Sequence, residues 1–362
     1  MDCGSVCAVT RGHIQEQAAG RTDPGRVRDH NEDRILVAMD LGLYVTADGM
    51  GGHQTGEIAS AMVVASMRNF FEATREGAWE AQAEDEAMGP GASRLLTAVR
   101  KANRDVFEIA STHEQHEGMG STVVALLVDG SQAQIAHVGD SRCYRVREGK
   151  MEQLTRDHSL RSEALLLSPD LPQELLETLP SNVITRALGM KDTVQVDLKT
   201  VEVEPGDTYL LCSDGLSGML DDDEILGAFE LSDTLEDACE LMVALANEAG
   251  GRDNISTVLV RFDDGGGDRV TMPVVERKLP MSIEPRRARM PSKTEDEIVV
   301  ATVETFIDNP LEQLAGLLPP ELLEKVERGE VVEVSKPRCR KCGFELIEGN
   351  LFCTECGTRV EG

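Results

Sequence analysis

Ser121-Thr122-Val123-Val124-Ala125-Leu126-Leu127-Val128-Asp129-Gly130, continued by Ser131-Gln132-Ala133-Gln134-Ile135-Ala136-His137-Val138-Gly139-Asp140, is the stretch from which the fold can be read. Two short apolar runs, 121–129 and 132–138, flank Asp129-Gly130, a pair suited to the positive φ of a tight hairpin turn. A third run, 143–147, ends in Glu148-Gly149, a second turn of the same kind. Strands joined in this way are antiparallel neighbours. Outward from this meander, strand-like segments rich in Val and Leu lie at 34–39, 43–47, 194–203, 208–213 and 255–262.

Helical periodicity falls between them. Leu95, Val99, Ala102, Val106 and Ile109 form one apolar stripe, and Leu235, Ala238, Cys239, Met242, Leu245 and Ala246 form another. A further helix is expected from Glu57 to about Thr74. Hairpins of strands with helical hairpins inserted, in place of strict βαβ alternation, predict an α+β sandwich. Residues 12–262 read as one domain. The glycine- and proline-rich stretch 263–298, with a basic patch at Arg286-Arg287-Ala288-Arg289, reads as a disordered linker. Residues 299–335 read as a partly helical connector, Leu-rich from 310 to 329 and broken at Pro319-Pro320.

Composition narrows the function classes. Among 362 residues, 65 acidic side chains face 36 basic ones, for a net charge of −29. Such a field repels nucleic acid and anionic membranes, so neither is expected as a partner, and it suits a site that concentrates divalent cations. Aromatics make up 3%, so the core must be built mainly from Leu, Val, Ile, Ala and Met. The strongly apolar run 123–128 is too short to span a bilayer. The start, Met1-Asp2-Cys3-Gly4, has neither the basic nor the apolar region of a secretory signal. Of nine cysteines, Cys143, Cys212 and Cys239 sit singly in apolar segments, which suits a reducing, cytoplasmic compartment. Cys3 and Cys7 have no reading.

The chemistry is suggested by where carboxylates fall. Asp48 follows the apolar run 43–47 and leads into Gly49-Met50-Gly51-Gly52. Asp214 follows 209–213 and precedes Gly215. Asp140 follows Gly139 at the end of a strand, and Asp253 precedes one. Glycine at such a turn lets a backbone carbonyl approach a ligand. If the four carboxylates converge, their like charges require a counter-ion. All-oxygen ligands then select Mg²⁺ or Mn²⁺, and a pair of such ions could activate a water and clamp a phosphoryl group.

Six segments in order carry a resemblance. They are 27–33 (Val-Arg-Asp-His-Asn-Glu-Asp), 46–53 (Thr-Ala-Asp-Gly-Met-Gly-Gly-His), 118–122 (Gly-Met-Gly-Ser-Thr), 136–142 (Ala-His-Val-Gly-Asp-Ser-Arg), 211–216 (Leu-Cys-Ser-Asp-Gly-Leu) and 251–256 (Gly-Arg-Asp-Asn-Ile-Ser). Together they resemble the PPM family, the protein phosphatase 2C type of metal-dependent Ser/Thr phosphatases in its bacterial form, over residues 12–262. The resemblance implies a four-layer αββα sandwich of two antiparallel sheets, with the metal site at one edge between them. It implies two to three Mn²⁺ or Mg²⁺ ions. Asp48 would bridge two of them, with the Gly49 carbonyl on one and Asp214 and Asp253 on the other. Asp140 would, with Asp214, hold a third and weaker one. Glu32 and Asp33 match positions that support metal-bound waters, and Arg28 matches the arginine that grips the substrate phosphate.

The implied reaction is in-line attack of a metal-activated water on phosphoserine or phosphothreonine of a protein, with Arg28, Asp48 and Asp214 as the catalytic set. Some relatives carry a histidine directly after the Asp-Gly pair; here that position is Met50, His53 lies further along, and no protein general acid is assigned. His137 and His158 read as structural, 163–181 as a flap over the site, and Asp221-Asp222-Asp223-Glu224 as a helix N-terminus. A catalytically silent phosphoprotein-binding scaffold or sensor is the alternative, and it predicts lost ligands where all are present. A third reading narrows the substrates to a dedicated regulator or a partner kinase.

At the far end, Cys339-Arg340-Lys341-Cys342-Gly343 and Cys353-Thr354-Glu355-Cys356-Gly357 are separated by ten residues counted from Gly343 to Phe352. Two CxxC pairs resemble a zinc ribbon over 336–362, with Cys339, Cys342, Cys353 and Cys356 as ligands of one structural Zn²⁺. Iron in the same geometry and a pair of disulfides are the alternatives. Protein docking is the role expected of the ribbon.

Overall fold

The computed structural model describes residues 9–11, 14–51, 55–75, 88–169, 171–180, 182–264 and 305–306. Cys3, Cys7, His53, most of the linker and connector and the four predicted zinc ligands lie outside the described residues. The chain divides into two compact units, Met1–Ser162 with Leu179–Asn309, and Glu163–Thr178 with Pro310–Gly362.

The first unit is built on two six-stranded sheets. The strands, in chain order, are β1 (Val9–Arg11), β2 (Ile14–Asp23), β3 (Asp33–Ala38), β4 (Leu43–Met50), β5 (Gly120–Ser121), β6 (Val123–Asp129) and β7 (Gln132–Val138). They continue as β8 (Arg142–Arg147), β9 (Lys150–Gln153), β10 (Val183–Ile184), β11 (Asp197–Glu202), β12 (Thr208–Cys212), β13 (Ile255–Asp264) and β14 (Thr305–Phe306). One sheet runs β1-β2-β13-β12-β8-β9 and the other β11-β7-β6-β4-β3 with β5 on β4; every pairing in both is antiparallel. The short pair β10–β14 is parallel.

The helices are α1 (Thr55–Ala73), α2 (Pro90–Thr112), α3 (Leu160–Leu167), α4 (Gln173–Thr178), α5 (Asp214–Ser217), α6 (Asp222–Leu231) and α7 (Leu235–Glu248). The segment 163–181, expected as a flap, contains most of α3 and all of α4. Asp221 caps α6 as its sequence suggests. Its carboxylate accepts the Glu224 amide at 2.9 Å while Glu224 accepts the Asp221 amide at 2.9 Å, which satisfies two otherwise orphaned donors.

Alternation along the strands builds three apolar layers. On β6, Val123, Ala125 and Leu127 pack with Leu43, Val45 and the α1 and α2 stripes, including Val63, Leu95 and Val99. The intervening Val124, Leu126 and Val128 turn inward and meet Tyr209, Leu211, Val258 and Val260 of the other sheet. That sheet presents Leu210, Cys212 and Leu259 outward to Ala238, Met242 and Ala246 of α7. Both sheets are thus covered on both faces, which explains why β4 and β6 read as continuous apolar runs. With few aromatics available, all three tyrosines, Tyr44, Tyr144 and Tyr209, are spent on fully buried positions. Tyr44 donates its hydroxyl proton to buried Glu16 across the gap between the sheets.

Two segments differ from the expected strands. The run 121–129 breaks at Thr122, whose amide turns to the Asp48 carbonyl at 2.8 Å. The run 194–203 pairs only over Asp197–Glu202, because its partner β7 ends at Val138 and the chain leaves the sheet at Gly139, φ 104°. Val194 and Val196 still pack on the α1–α2 layer without a strand partner.

Candidate active site

Register decides where the carboxylates meet. Asp33 at the start of β3 lies opposite Asp48 near the end of β4. Cys212 at the end of β12 faces Arg142 at the start of β8 and Thr257 near the start of β13. Asp23 at the end of β2 faces Ile255. The ends carrying Asp48, Asp140, Asp214 and Asp253, and the loop carrying Arg28 and Glu32, therefore fall on one edge of the sandwich. Asp214 opens the one-turn helix α5 directly after Ser213.

The site contains more buried negative charge than it can leave ionised. Burial holds the Asp33 carboxyl up to about 7, with hydrogen bonds from Ser256 and Ser213 opposing the shift and Asp214 and Asp253 adding to it. Burial followed by repulsion from Asp253 raises Asp214 to about 6. Asp140 is pushed well above the carboxylate range by burial and then by Asp214, and Glu32 is raised chiefly by burial. In Arg28, burial favours loss of the proton, but facing Asp253, Asp48 and Glu32 more than offset it, so the guanidinium is held charged. It donates to Asp253 Oδ2 at 2.8 Å. Asp33 Oδ1, Asp140 Oδ1 and Asp214 Oδ1 are buried without a hydrogen-bond partner. Unpartnered, mutually repelling carboxylate oxygens are the donor set that a hard divalent cation satisfies, so these residues fit the expected Mn²⁺ or Mg²⁺.

Gly49 packs tightly here. Its amide donates to the Glu32 carbonyl at 3.2 Å, and a Cβ on it would collide with the Gly56 carbonyl and lie 2.8 Å from Glu32 O. Met50, at the position where relatives carry a histidine, is buried.

Asn254 is a site residue whose function its sequence did not reveal, although it stands inside a quoted motif. Its amide donates to the carbonyls of Pro24 and His30 at 2.9 Å each, and its oxygen accepts the Glu32 amide at 2.8 Å. One side chain thereby ties down the loop that carries Arg28 and Glu32. Ser213 was likewise unassigned; its hydroxyl donates to Asp33 Oδ2 at 2.7 Å.

Donor atoms of His137, His158 and Asp197 lie within 4.8 Å of one another, which makes them a candidate cation site by distance. The chemistry opposes it. The imidazoles stack at 4.6 Å with 20° between planes, so their lone pairs lie in two nearly parallel planes set apart from each other. Arg186 already supplies the positive charge, 2.8 Å from Asp197 Oδ1 and 3.2 Å from His158 Nε2. Burial, then His137 and Arg186, lowers His158 to about 3, so it stays neutral and its Nδ1 accepts the Gly139 amide at 3.1 Å. Both rings are engaged with backbone: His137 Nε2 lies 2.8 Å from the Arg156 carbonyl, and His158 holds the Gly139 amide.

The profile of the family described as Protein phosphatase 2C matches residues 26–260. The serine/threonine phosphatase stp of Listeria monocytogenes is 35% identical over 246 residues, covering 67% of this chain and 94% of that protein. The crystal structure of the Mycobacterium tuberculosis serine/threonine phosphatase PstP/Ppp superposes with a TM-score of 0.60 at 33% identity, over 68% of this chain and 99% of that one. The PstP catalytic domain in complex with two manganese ions gives a TM-score of 0.59 at 32% identity, over 69% of this chain and 100% of that one.

Proposed function

This chain belongs to the protein phosphatase 2C family, and from that premise we infer that it is a protein-serine/threonine phosphatase whose reaction depends on divalent metal. Its substrates are phosphoproteins. The observation that carries the assignment to a working site is the convergence of Asp48, Asp140, Asp214 and Asp253 with Arg28 at one sheet edge, where one buried oxygen each of Asp140 and Asp214 lacks a hydrogen-bond partner.

In this reading Asp48, the Gly49 carbonyl, Asp214 and Asp253 would hold two Mn²⁺ or Mg²⁺ ions, and Asp140 with Asp214 would hold a third. When bound, the cations neutralise the carboxylates and supply the Lewis acidity that activates water and polarises a phosphoryl group. Asp33 and Glu32, held by Ser213 and by Asn254, orient water by accepting its protons. Arg28 already reaches Asp253, and its planar fork has further donors for two phosphate oxygens. Positioning and charge neutralisation do the catalytic work, without a covalent enzyme intermediate.

The structural Zn²⁺ on Cys339, Cys342, Cys353 and Cys356, protein docking through that ribbon and a partner kinase among the substrates belong to the same proposal. So does a cytoplasmic location, supported by the buried free thiols Cys143, Cys212 and Cys239. Among the described residues no helix is long and apolar enough to cross a membrane.

The test is hydrolysis of a phosphothreonine peptide by the full chain, stripped of divalent ions and then supplied with Mn²⁺, beside Asp214→Asn. Activity should require Mn²⁺ and fall by on the order of 100-fold or more in the variant. No turnover with any divalent ion by a folded protein would replace this reading with the silent phosphoprotein-binding scaffold.

A further inference from the structure

Gly118-Met119-Gly120-Ser121-Thr122 belongs to the motif series yet contributes no carboxylate and no cation. Its hydroxyls are nevertheless bonded to the backbone of Asp48 and to Ser141, the neighbour of Asp140. The Thr122 amide donates to the Asp48 carbonyl at 2.8 Å, and the Asp48 amide donates back to Thr122 Oγ1 at 3.0 Å. Ser121 Oγ donates to the same Asp48 carbonyl at 2.9 Å. On its other side Thr122 Oγ1 lies 2.7 Å from the hydroxyl of Ser141, the residue after Asp140. Because Thr122 Oγ1 accepts from the Asp48 amide, its own proton is available to Ser141.

The same side chain sets the shape of the Asp140 turn. Gly139 has φ 104°, and a Cβ there would lie 2.6 Å from both Cβ and Cγ2 of Thr122. Thr122 and Ser121 are fully buried, and Ser141 is 1% exposed. The far side of the turn is closed by His158, whose Nδ1 accepts the Gly139 amide at 3.1 Å and whose amide donates to the Gly139 carbonyl at 2.9 Å. Gly139-Asp140-Ser141 is thus clamped between Thr122 and His158, while Asp140 Oδ1 itself is left without a partner.

We propose that Thr122 is a positioning residue that fixes the Asp140 carboxylate relative to Asp48 and so sets the affinity for the cation that Asp140 and Asp214 share. The inference rests on the reading of Asp140 as a cation ligand. A side chain that touches no ligand atom acts here by removing the freedom of the turn that presents one, as partners behind metal ligands commonly do.

Three variants separate the parts of the clamp. Thr122→Val keeps the volume against Gly139 and removes the oxygen between Asp48 and Ser141. Ser141→Ala breaks the same link from its other end and leaves the Asp48 bond in place. Thr122→Ser keeps both hydrogen bonds and loses the methyl group. Mn²⁺ binding to the full chain is measured by titration calorimetry, alongside the Mn²⁺ concentration for half-maximal hydrolysis of a phosphothreonine peptide, with Asp140→Asn as comparator.

Thr122→Val and Ser141→Ala should weaken the weakest Mn²⁺ site by about 10–100-fold, as Asp140→Asn does, with kcat at saturating Mn²⁺ far less affected. Thr122→Ser should restore wild-type Mn²⁺ affinity while melting at a lower temperature, a separation that a purely structural role would not produce. If Thr122→Val does not fold, Ser141→Ala carries the test. Wild-type Mn²⁺ affinity in Thr122→Val and Ser141→Ala, beside a weakened Asp140→Asn, overturns the positioning role. Wild-type affinity in Asp140→Asn overturns the ligand reading of Asp140, and this inference with it.

Discussion

Asp33→Asn should stabilise the metal-free protein at high pH, although it removes a residue of the active site. Asp33 is fully buried and its carboxyl is held up to about 7, mainly by burial. In the unfolded chain an aspartate titrates near 3.9. Between those values the folded protein binds a proton that the unfolded chain has lost, so stability falls as pH rises, and the contribution is gone above the folded value. About three pH units at ~1.4 kcal/mol each give a loss on the order of 4 kcal/mol between roughly pH 4 and 8. Asparagine has the same shape and never ionises, so it escapes that loss. At about 2–4 °C per kcal/mol for a domain of this size, the variant should melt about 10 °C above wild type at pH 8 and only about 3 °C above it at pH 4.5.

The assay is thermal unfolding of both proteins, freed of divalent ions, from pH 4.5 to 8 and again with saturating Mn²⁺. Groups that do not interact with Asp33 cancel in the difference, while Asp214 and Asp253, which repel it, are relieved along with it. Bound Mn²⁺ supplies the missing counter-charge, so the advantage of the variant should vanish or reverse. A difference in Tm that does not grow with pH in the metal-free proteins, or that persists unchanged with Mn²⁺, would refute the reasoning.

Arg28→Lys retains a charge beside Asp253 but loses the planar fork, so kcat/KM on a phosphothreonine peptide should fall about 30–100-fold, a cost of ~2–3 kcal/mol. Steady-state kinetics at saturating Mn²⁺ check it. Gly49→Ala must displace the Gly56 and Glu32 carbonyls and should cost about 3 kcal/mol or more, seen as a lower urea midpoint. Cys339→Ser should remove one equivalent of zinc per chain by elemental analysis, with Mn²⁺-dependent hydrolysis of a small aryl phosphate retained.

Much of the fold was legible because its signals are local. The Asp129-Gly130 and Glu148-Gly149 turns, the short apolar run of β6 and the four-and-three spacing on α2 and α7 each declare themselves within a dozen residues. The helix N-terminus at 221–224 did so within four, and the structure adds the capping box that Asp221 and Glu224 form. Broken strands were less legible: nothing local in 194–203 says that β7 runs out at Val138, since a strand ends where its partner does.

The sequence by itself placed each of Asp48, Asp140, Asp214 and Asp253 beside a glycine or a strand end, and so determined that carboxylates would stand where strands leave a sheet. It could not determine that those ends coincide. Only the antiparallel register does that, pairing Asp33 with Asp48 and Cys212 with both Arg142 and Thr257. The tertiary structure also decided the partners. Arg28 meets Asp253 across 225 positions of sequence, Ser213 meets Asp33 across 180, and Thr122 comes to lie between Asp48 and Ser141. Periodicity follows from the geometry of a single helix or strand and is therefore written along the chain. A hydrogen bond between distant residues depends on how whole sheets align, and that alignment is settled only when the layers pack.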